Sequence, residues 1–299
     1  MDRFRKDYKI SITAMNECKN IIMKSPTQTA SIDGNLGYFI ARGKGEESLE
    51  SQLRRVLRQS AVHVNHNMDY KDLSKKYDWV VVATGNDRAA RELGVWEDEG
   101  VVHMIGGLLL GKFNPESSTI YFDTTYAGSG YARLTPFSST QALVGLYTIG
   151  LDRADMIRLF SRFLEKENLA GLELTFTQIP PPFTTGKVKK YRVGNILLAG
   201  RAAGLTERLI GVGAPEAIVS GVMAARAIVN KDNYAKTSKT VRKHVENISS
   251  FRKIVEKYNN DDFDKLIAVL DLPPVKQLIY NTGLDFVDIA GRVIKHLTK

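Results

Sequence analysis

Apolar positions along the chain fall into two patterns, short unbroken runs and runs at helical spacing, which together are typical of an α/β protein. The unbroken runs at 78–85 and 195–200 each end in glycine, as expected for buried strands of a parallel sheet. Ser48 precedes Leu49, Leu53, Val56 and Leu57, and this spacing predicts an amphipathic helix. The same periodicity predicts a second amphipathic helix over 152–168.

The remaining segments show three further patterns. Strand-like pieces and turns alternate between Val101 and Gly150, with strands at Ile120–Thr125 and Ala142–Ile149, and they predict an antiparallel sheet. Residues 9–41 follow no clear period, so only a strand at 38–41 is predicted there. From residue 214 onward the pattern is mainly helical, with a break around Pro273 and Pro274.

These elements predict an α/β fold with an α+β second lobe. A length of 299 residues is enough for about two domains of roughly 150 residues. We expect a discontinuous parallel-sheet lobe at 1–104 and 193–230, an antiparallel-sheet lobe at 105–192 and a helical C-terminal region at 231–299.

Charge indicates the sign of the partners. Lysine and arginine number 42 against 33 aspartates and glutamates, a net charge of +9 that favours anionic partners. Residues 231–260 alone hold eight basic residues against three acids, which fits either a solvated helix face or a surface for an anionic membrane or an acidic partner. No recognition motif for nucleic acid accompanies the charge, so nucleic acid is not an expected partner.

Several classes of chemistry have little support in the sequence. Cys18 is the single cysteine, which excludes an intrachain disulfide, and no ligand motif predicts a metal site. Gly106 to Lys112 has the spacing of a phosphate loop, but Phe113 stands where a magnesium ligand is needed, so a strand with a basic end is predicted. Without an apolar span or a secretory leader pattern, we expect a cytoplasmic protein, with peripheral membrane attachment as the alternative.

A glycine-rich stretch carries the most chemical information. The apolar run ending at Gly200 is followed by Ala202, Ala203 and Gly204, and Gly211-Val212-Gly213-Ala214 precedes a long helix. Backbone N–H groups and the positive end of that helix suit a phosphate or the electron-rich ring of a reduced flavin. The same spacing also suits a turn used only for tight helix–sheet packing, so both interpretations stay open.

The order of these segments resembles a known family. Leu-Leu-Ala-Gly-Arg-Ala-Ala-Gly-Leu at 197–205 followed by Gly-Val-Gly-Ala-Pro at 211–215 is similar to the second flavin-binding motif of the geranylgeranyl reductase family. This family of FAD-dependent oxidoreductases has a para-hydroxybenzoate hydroxylase-like fold. Three further stretches, at 38–57, 77–95 and 128–147, resemble family segments in the same order along the chain.

The resemblance implies FAD as the cofactor, and it implies candidate positions for each part of it. The nucleotide side is assigned to Arg42, Thr84 and Gly85, the ribityl and phosphate region to Gly200, Arg201 and Gly204, and the flavin ring to Gly211, Gly213 and Ala214. The substrate pocket is assigned to Tyr131, Arg133 and Pro136. No catalytic acid or base follows from the motifs.

The chain departs from the family pattern in three respects. No segment matches the N-terminal GxGxxG unit that holds the ADP half of FAD, so the parallel-sheet lobe is expected to be an incomplete Rossmann-like lobe. Three explanations are open: the chain is shortened, a second polypeptide or self-association completes the sheet, or tight FAD binding has been lost. Arg201 stands where the family has aspartate, and Arg133 and Thr135 stand where it has tryptophan and phenylalanine. The last change suits an anionic substrate better than a long prenyl chain.

The resemblance therefore implies a flavin-dependent oxidoreductase that acts by hydride transfer on a lipid-like or anionic unsaturated small molecule. The alternative is a non-catalytic or partner-dependent subunit that keeps the flavoprotein fold as a binding module.

Overall fold

The computed structural model describes residues 2–57, 62–208, 211–273 and 275. They belong to two compact units. Unit 1 comprises Met1–Ile12, Gln52–Gly100 and Thr184–Arg252, and unit 2 comprises Thr13–Ser51, Val101–Phe183 and Lys253–Lys299.

Helices and strands follow one another along the chain in a mixed order. The strands are β1 (Asn16–Lys24), β2 (Thr29–Phe39), β3 (Val80–Val82), β4 (Trp96–Leu110), β5 (Ser117–Tyr121), β6 (Tyr131–Pro136), β7 (Gln141–Thr148), β8 (Glu173–Gln178), β9 (Phe183–Val188), β10 (Arg192–Val193) and β11 (Ile196–Leu198). The α-helices are α1 (Asp2–Tyr8), α2 (Leu49–Arg55), α3 (Tyr70–Lys76), α4 (Arg88–Glu92), α5 (Thr124–Ala127), α6 (Met156–Lys166), α7 (Ala214–Asn230), α8 (Tyr234–Thr237), α9 (Lys239–Val255) and α10 (Asn260–Leu270). Short 3₁₀ turns lie at Arg153–Asp155 and Gly200–Ala203.

Unit 1 contains the parallel pair that the sequence predicts. β11 and β3 run parallel with Leu198 opposite Val82, and β10 pairs antiparallel with β11. The core of this unit gathers the apolar residues of both strands with small residues of α4 and α7. Small side chains such as Ala224 and Ala227 let α7 approach the sheet closely.

Unit 2 is built on a large sheet in the order β2-β1-β5-β6-β7-β4-β8. β1 and β5 are parallel, and the other neighbours are antiparallel. α6 packs its apolar stripe, which includes Met156, Phe160 and Phe163, with sheet residues such as Leu109 and Leu146. The antiparallel sheet predicted between 101 and 150 is therefore confirmed, and so is the α/β fold class.

The prediction for residues 9–41 was incomplete, because its strand at 38–41 overlaps only the end of β2 and most of the rest of the segment is not irregular. This segment forms the hairpin of β1 and β2, and its pairing with β5 places residues 13–51 in unit 2 instead of the parallel-sheet lobe. β1 contains a register shift between Cys18 and Asn20, which interrupts the two-residue alternation that marks a strand in sequence.

The predicted helices hold with smaller differences. Ser48 precedes α2 and its Oγ accepts a hydrogen bond from Ser51 N at 3.2 Å, but α2 ends at Arg55, and Val56 and Leu57 are exposed. The C-terminal helices are present up to Leu270, and the predicted helical residues 276–299 lie outside the described part of the chain. Among the described helices, none is both long and apolar enough to cross a membrane.

Candidate functional site

The carboxyl ends of β3 and β11 bring two of the predicted segments together. Thr84 and Gly85 follow β3, and Ala199 and Gly200 follow β11. Ala199 N donates to Val82 O at 3.0 Å, so the two chain ends remain paired up to the turns. In sheets with parallel strands, ligands bind at this carboxyl edge.

The turn after β3 leaves space above its backbone. Gly85 has φ +70°, and no atom lies within 4 Å of the position that a Cβ would take. The Asn86 side-chain oxygen accepts from Arg88 N at 3.2 Å and holds the turn against the start of α4. A ligand can therefore approach the Gly85 backbone closely, whereas a side chain at this φ would be strained.

The turn after β11 is packed much more tightly. Gly200 N donates to Ser220 Oγ of α7 at 2.9 Å, and a Cβ on Gly200 would lie 3.1 Å from Ala217 Cβ. A Cβ on Gly204, which has φ +68°, would lie 2.7 Å from Gly186 O. The structural interpretation of the glycines thus accounts for Gly200 and Gly204 through helix and strand packing.

The loop before α7 is closed by one buried carboxylate. Glu207 Oε1 accepts from Val212 N at 2.7 Å, and Glu207 N donates to Val212 O at 3.0 Å. Gly211 has φ +77° and open space around its Cβ position. Residues 209 and 210 of this loop lie outside the described part of the chain.

The N-terminus of α7 carries no side-chain cap. Gly213 is the N-cap residue, and a Cβ there would lie 2.7 Å from Thr206 Oγ1. Ala214 begins the 17-residue helix, whose first N–H groups and dipole give this end a partial positive charge. The end is therefore suited to an anion or an electron-rich ring edge.

Arg201 adds a full positive charge to the turn that follows β11. Its Nη2 donates to Thr184 O at 3.4 Å, and Thr184 Oγ1 donates to Asp87 Oδ2 at 3.0 Å. Burial lowers the pKa of Arg201, and the negative charge of Asp87 opposes that shift. Asp87 itself accepts from Arg91 Nε at 2.6 Å. Asp87 was not among the predicted site residues, although its place two residues after Gly85 is a usable signal.

These residues fit part of a flavin nucleotide. Two open glycine turns, a guanidinium and an uncapped helix N-terminus suit a phosphate and the electron-rich edge of the ring. Eight of the nine cofactor candidates lie in unit 1: Thr84, Gly85, Gly200, Arg201, Gly204, Gly211, Gly213 and Ala214. Within the described residues, no group of three or more His, Cys, Asp or Glu side chains is arranged to hold a metal ion.

Arg42, the remaining cofactor candidate, lies in unit 2. Its Nε donates to Glu50 Oε1 at 2.7 Å, and both side chains are largely exposed. The structure therefore gives Arg42 an intramolecular partner at the start of α2.

The substrate candidates lie on β6 in unit 2. Tyr131 stacks on Tyr147 with ring centroids 4.7 Å apart, and Arg133 is paired opposite Gly145. Because side chains alternate along a strand, Tyr131, Arg133 and Tyr147 share one face of the sheet, and Pro136 lies on the other. Tyr147 was not among the predicted site residues, because only the cross-strand register brings it onto Tyr131.

Known proteins similar to this chain include reductases of the kind that its motifs resemble. No family model matches the sequence. The chain is 26% identical over 177 residues to digeranylgeranylglycerophospholipid reductase 2 of Methanothermobacter thermautotrophicus and 25% identical over 179 residues to digeranylgeranylglycerophospholipid reductase 1 of Methanosphaera stadtmanae. These matches cover 53% and 54% of this chain and 44% of each relative.

Solved structures show the same fold over nearly the whole chain. A geranylgeranyl bacteriochlorophyll reductase-like protein from Thermoplasma acidophilum matches with a TM-score of 0.68 and 15% identity, covering 99% of this chain and 86% of its own. A flavoprotein/dehydrogenase from Cytophaga hutchinsonii matches with a TM-score of 0.59 and 11% identity, covering 95% of this chain and 83% of its own. The chain is therefore similar in sequence to two digeranylgeranylglycerophospholipid reductases and in fold to a geranylgeranyl bacteriochlorophyll reductase-like protein, in agreement with the resemblance that its motifs show.

Proposed function

We propose that unit 1 binds a flavin nucleotide and that the protein is a flavin-dependent oxidoreductase of the geranylgeranyl reductase type. The observation that carries the proposal is the meeting of Gly85 and Arg201 at one carboxyl edge, where β3 and β11 end side by side. The names of the curated relatives and the fold shared with flavoproteins support it.

The residues of unit 1 divide the binding task between them. The backbone at Gly85 and Gly211 allows close approach of the ligand, because no atom occupies the space that a Cβ would need. Arg201 would contact a phosphate, and the N-terminus of α7 would face the part of the ring that gains negative charge on reduction. A bound flavin supplies two-electron chemistry by hydride transfer, and the protein supplies position and electrostatics.

The substrate class follows from the face formed by Tyr131, Arg133 and Tyr147. A guanidinium beside two stacked aromatic rings suits a molecule with an anionic group and an unsaturated or lipid-like body. The curated relatives are named for reduction of a phospholipid, which agrees with that class.

Three flavins separate the roles of ring and phosphate in a binding experiment. The purified protein is titrated with riboflavin, FMN and FAD, and flavin fluorescence and visible absorbance are followed. We expect saturable binding of FMN and FAD and weaker binding of riboflavin, which lacks the phosphate that Arg201 contacts.

Arg201 variants provide the control. Arg201→Ala is expected to weaken FMN binding about tenfold or more and leave riboflavin binding unchanged, because a charge-assisted hydrogen bond is worth about 1.5–3 kcal/mol. Arg201→Lys, which keeps the charge, is expected to retain most of the affinity. Absence of saturable binding for all three flavins would overturn the proposal and favour the non-catalytic binding module.

A further inference from the structure

The edge of β3 opposite β11 carries backbone groups that point away from β11. Within the described residues, β3 pairs with β11 alone. Val80 N donates to Asn195 O and Ala199 N donates to Val82 O, each at 3.0 Å. Because the backbone groups of successive strand residues point to opposite sides, the N–H and C=O of Val81 point away from β11.

A groove of about 440 Å³ runs along that side of β3. It is lined by every residue from Val80 to Thr84, with walls from residues 67–70, from Leu73 and from α4 and the turn before it. Consecutive strand residues have side chains on opposite faces, so a cavity that touches all of them follows the backbone edge. Val81 is 40% exposed, whereas Val80 and Val82 are buried.

We propose that an extended segment of a second polypeptide adds to this edge as a strand beside β3. An edge strand presents unpaired N–H and C=O groups, and an apolar Val-Val-Val edge is a template for such addition. The inference deepens the proposed function, since the added strand would extend the sheet that carries the flavin-side turns.

The walls of the groove determine which kind of polypeptide can reach the edge of β3. A second copy of this chain would present an equally recessed β3, and two recessed edges cannot approach to the roughly 4.8 Å that strand pairing needs. A separate extended segment can enter. Asp69 and Glu92 line the walls, but Lys71 Nζ lies 2.9 Å and Arg88 Nε 2.8 Å from Glu92, so these charges balance. The apolar edge of β3 therefore selects the occupant, and it favours an apolar segment.

A soluble peptide tests the edge directly. The probe is acetyl-Lys-Thr-Val-Ala-Val-Ile-Thr-Lys-amide, added to the purified protein with no flavin in the sample. We expect saturable binding that slows amide hydrogen exchange in the segment 80–84. Because no flavin takes part, this result is independent of whether the proposed flavin site holds.

Two N-methylated forms of the peptide are matched controls. One carries N-methyl groups on its two valines and the other on its alanine and isoleucine, so each blocks a different edge of the same strand. We expect one form to bind about tenfold more weakly or worse and the other to bind like the parent, since only one edge pairs with β3. Equal binding of both forms would overturn the proposal.

Variants of Val81 complete the test. Val81→Pro removes the N–H that points into the groove and is expected to abolish peptide binding, whereas Val81→Thr keeps that N–H and the branched side chain and is expected to bind. Thermal melts followed by circular dichroism check that both variants fold. If Val81→Pro does not fold, the N-methylated peptides alone test whether the segment pairs with β3. Absence of peptide binding, or a dimer of the free protein with exchange at 80–84 already slow, would contradict the proposal.

Discussion

Glycines at the candidate site differ in what surrounds them. Gly85 and Gly211 combine positive φ with open space, whereas Gly204 combines positive φ with close backbone contacts. The sequence could locate all three in turns, because glycine before a helix or after a strand is a strong local signal. It could not separate packing glycines from ligand-facing ones, since that distinction depends on Gly186 and Lys187 from another strand.

A pair of alanine substitutions isolates the packing role. A Cβ at Gly204 would lie 2.7 Å from Gly186 O and 2.8 Å from Lys187 Cα, and neither backbone atom can move easily. We expect Gly204→Ala to lower the free energy of unfolding by about 3 kcal/mol, combining backbone strain and overpacking. Gly194→Ala, at φ +60° with no atom within 4 Å of its Cβ position, is expected to lower it by about 1 kcal/mol. Urea unfolding measures both, and equal losses would contradict the packing role.

Asp123 in unit 2 is the buried acid that joins three helices. Its carboxylate accepts from Thr125 N at 2.8 Å in α5, from Asn260 Nδ2 at 3.2 Å in α10 and from Lys166 Nζ of α6. Burial tends to raise the pKa of Asp123, but these donors together hold it below the ordinary value of 3.8. Asp123→Asn is expected to lower the free energy of unfolding by about 2 kcal/mol, because charge-assisted hydrogen bonds are lost. Asp155→Asn, which removes an exposed pair with Arg158, is the control and should change it little.

The same group predicts how stability depends on acidity. The pKa of Asp123 is lower in the folded than in the unfolded protein, so its contribution is fully present above the unfolded value and declines as pH falls through the folded one. Unfolding free energies measured between pH 6 and pH 3 should therefore fall less steeply for Asp123→Asn than for the unmodified protein. Parallel curves for the two proteins would show that the contribution is not electrostatic.

Among the elements, those with local signals were predictable. β3, β11, α6 and α7 carry unbroken apolar runs or a clear 3.6-residue period, and each appears where the sequence predicts it. β1 and all but the end of β2 were missed, because β1 is polar and bulged and its parallel pairing with β5 joins residues far apart in sequence. The basic residues at 231–260 fall into two groups. Arg252 is buried and Arg242 Cζ lies 4.8 Å from the ring centroid of Tyr191, whereas the six lysines are exposed.

Helix α7 positions the Gly200 turn through one hydroxyl. Ser220 is fully buried, and its Oγ accepts from Gly200 N at 2.9 Å while donating to Ala217 O at 3.1 Å. Ser220→Ala leaves the Gly200 N–H without this acceptor and is expected to lower the free energy of unfolding by about 1–3 kcal/mol. Flavin affinity should fall as well, because the turn that carries Arg201 loses its anchor.

Ser250→Ala in α9 is the matched control for that substitution. Ser250 Oγ donates to Glu246 O at 2.7 Å on an exposed surface, so its loss should be close to neutral. Chemical unfolding and a flavin titration of both variants provide the two readouts. If Ser220→Ala is as stable as Ser250→Ala and binds flavin as tightly, the Ser220 hydroxyl does not hold the Gly200 turn.

At the scale of the whole molecule, the two units hold different candidate sites. Unit 1 holds the glycine turns, Arg201 and the groove along β3, and unit 2 holds the face of Tyr131, Arg133 and Tyr147. The division between units was not predictable in detail, because β1 and β2 join unit 2 through pairing that no local pattern records. The chain aligns with 44% of the length of its curated relatives, and the fold extends over 99% of the chain.

Hydrogen exchange with and without FAD tests the central claim most directly. If unit 1 binds the flavin as proposed, amides in segments 83–86, 200–204 and 213–217 should exchange more slowly with FAD, while segments of β8 and α6 serve as references that do not change. Saturable FAD binding with no slowing in any of these three segments would contradict the account, because the flavin would then be held elsewhere in the molecule.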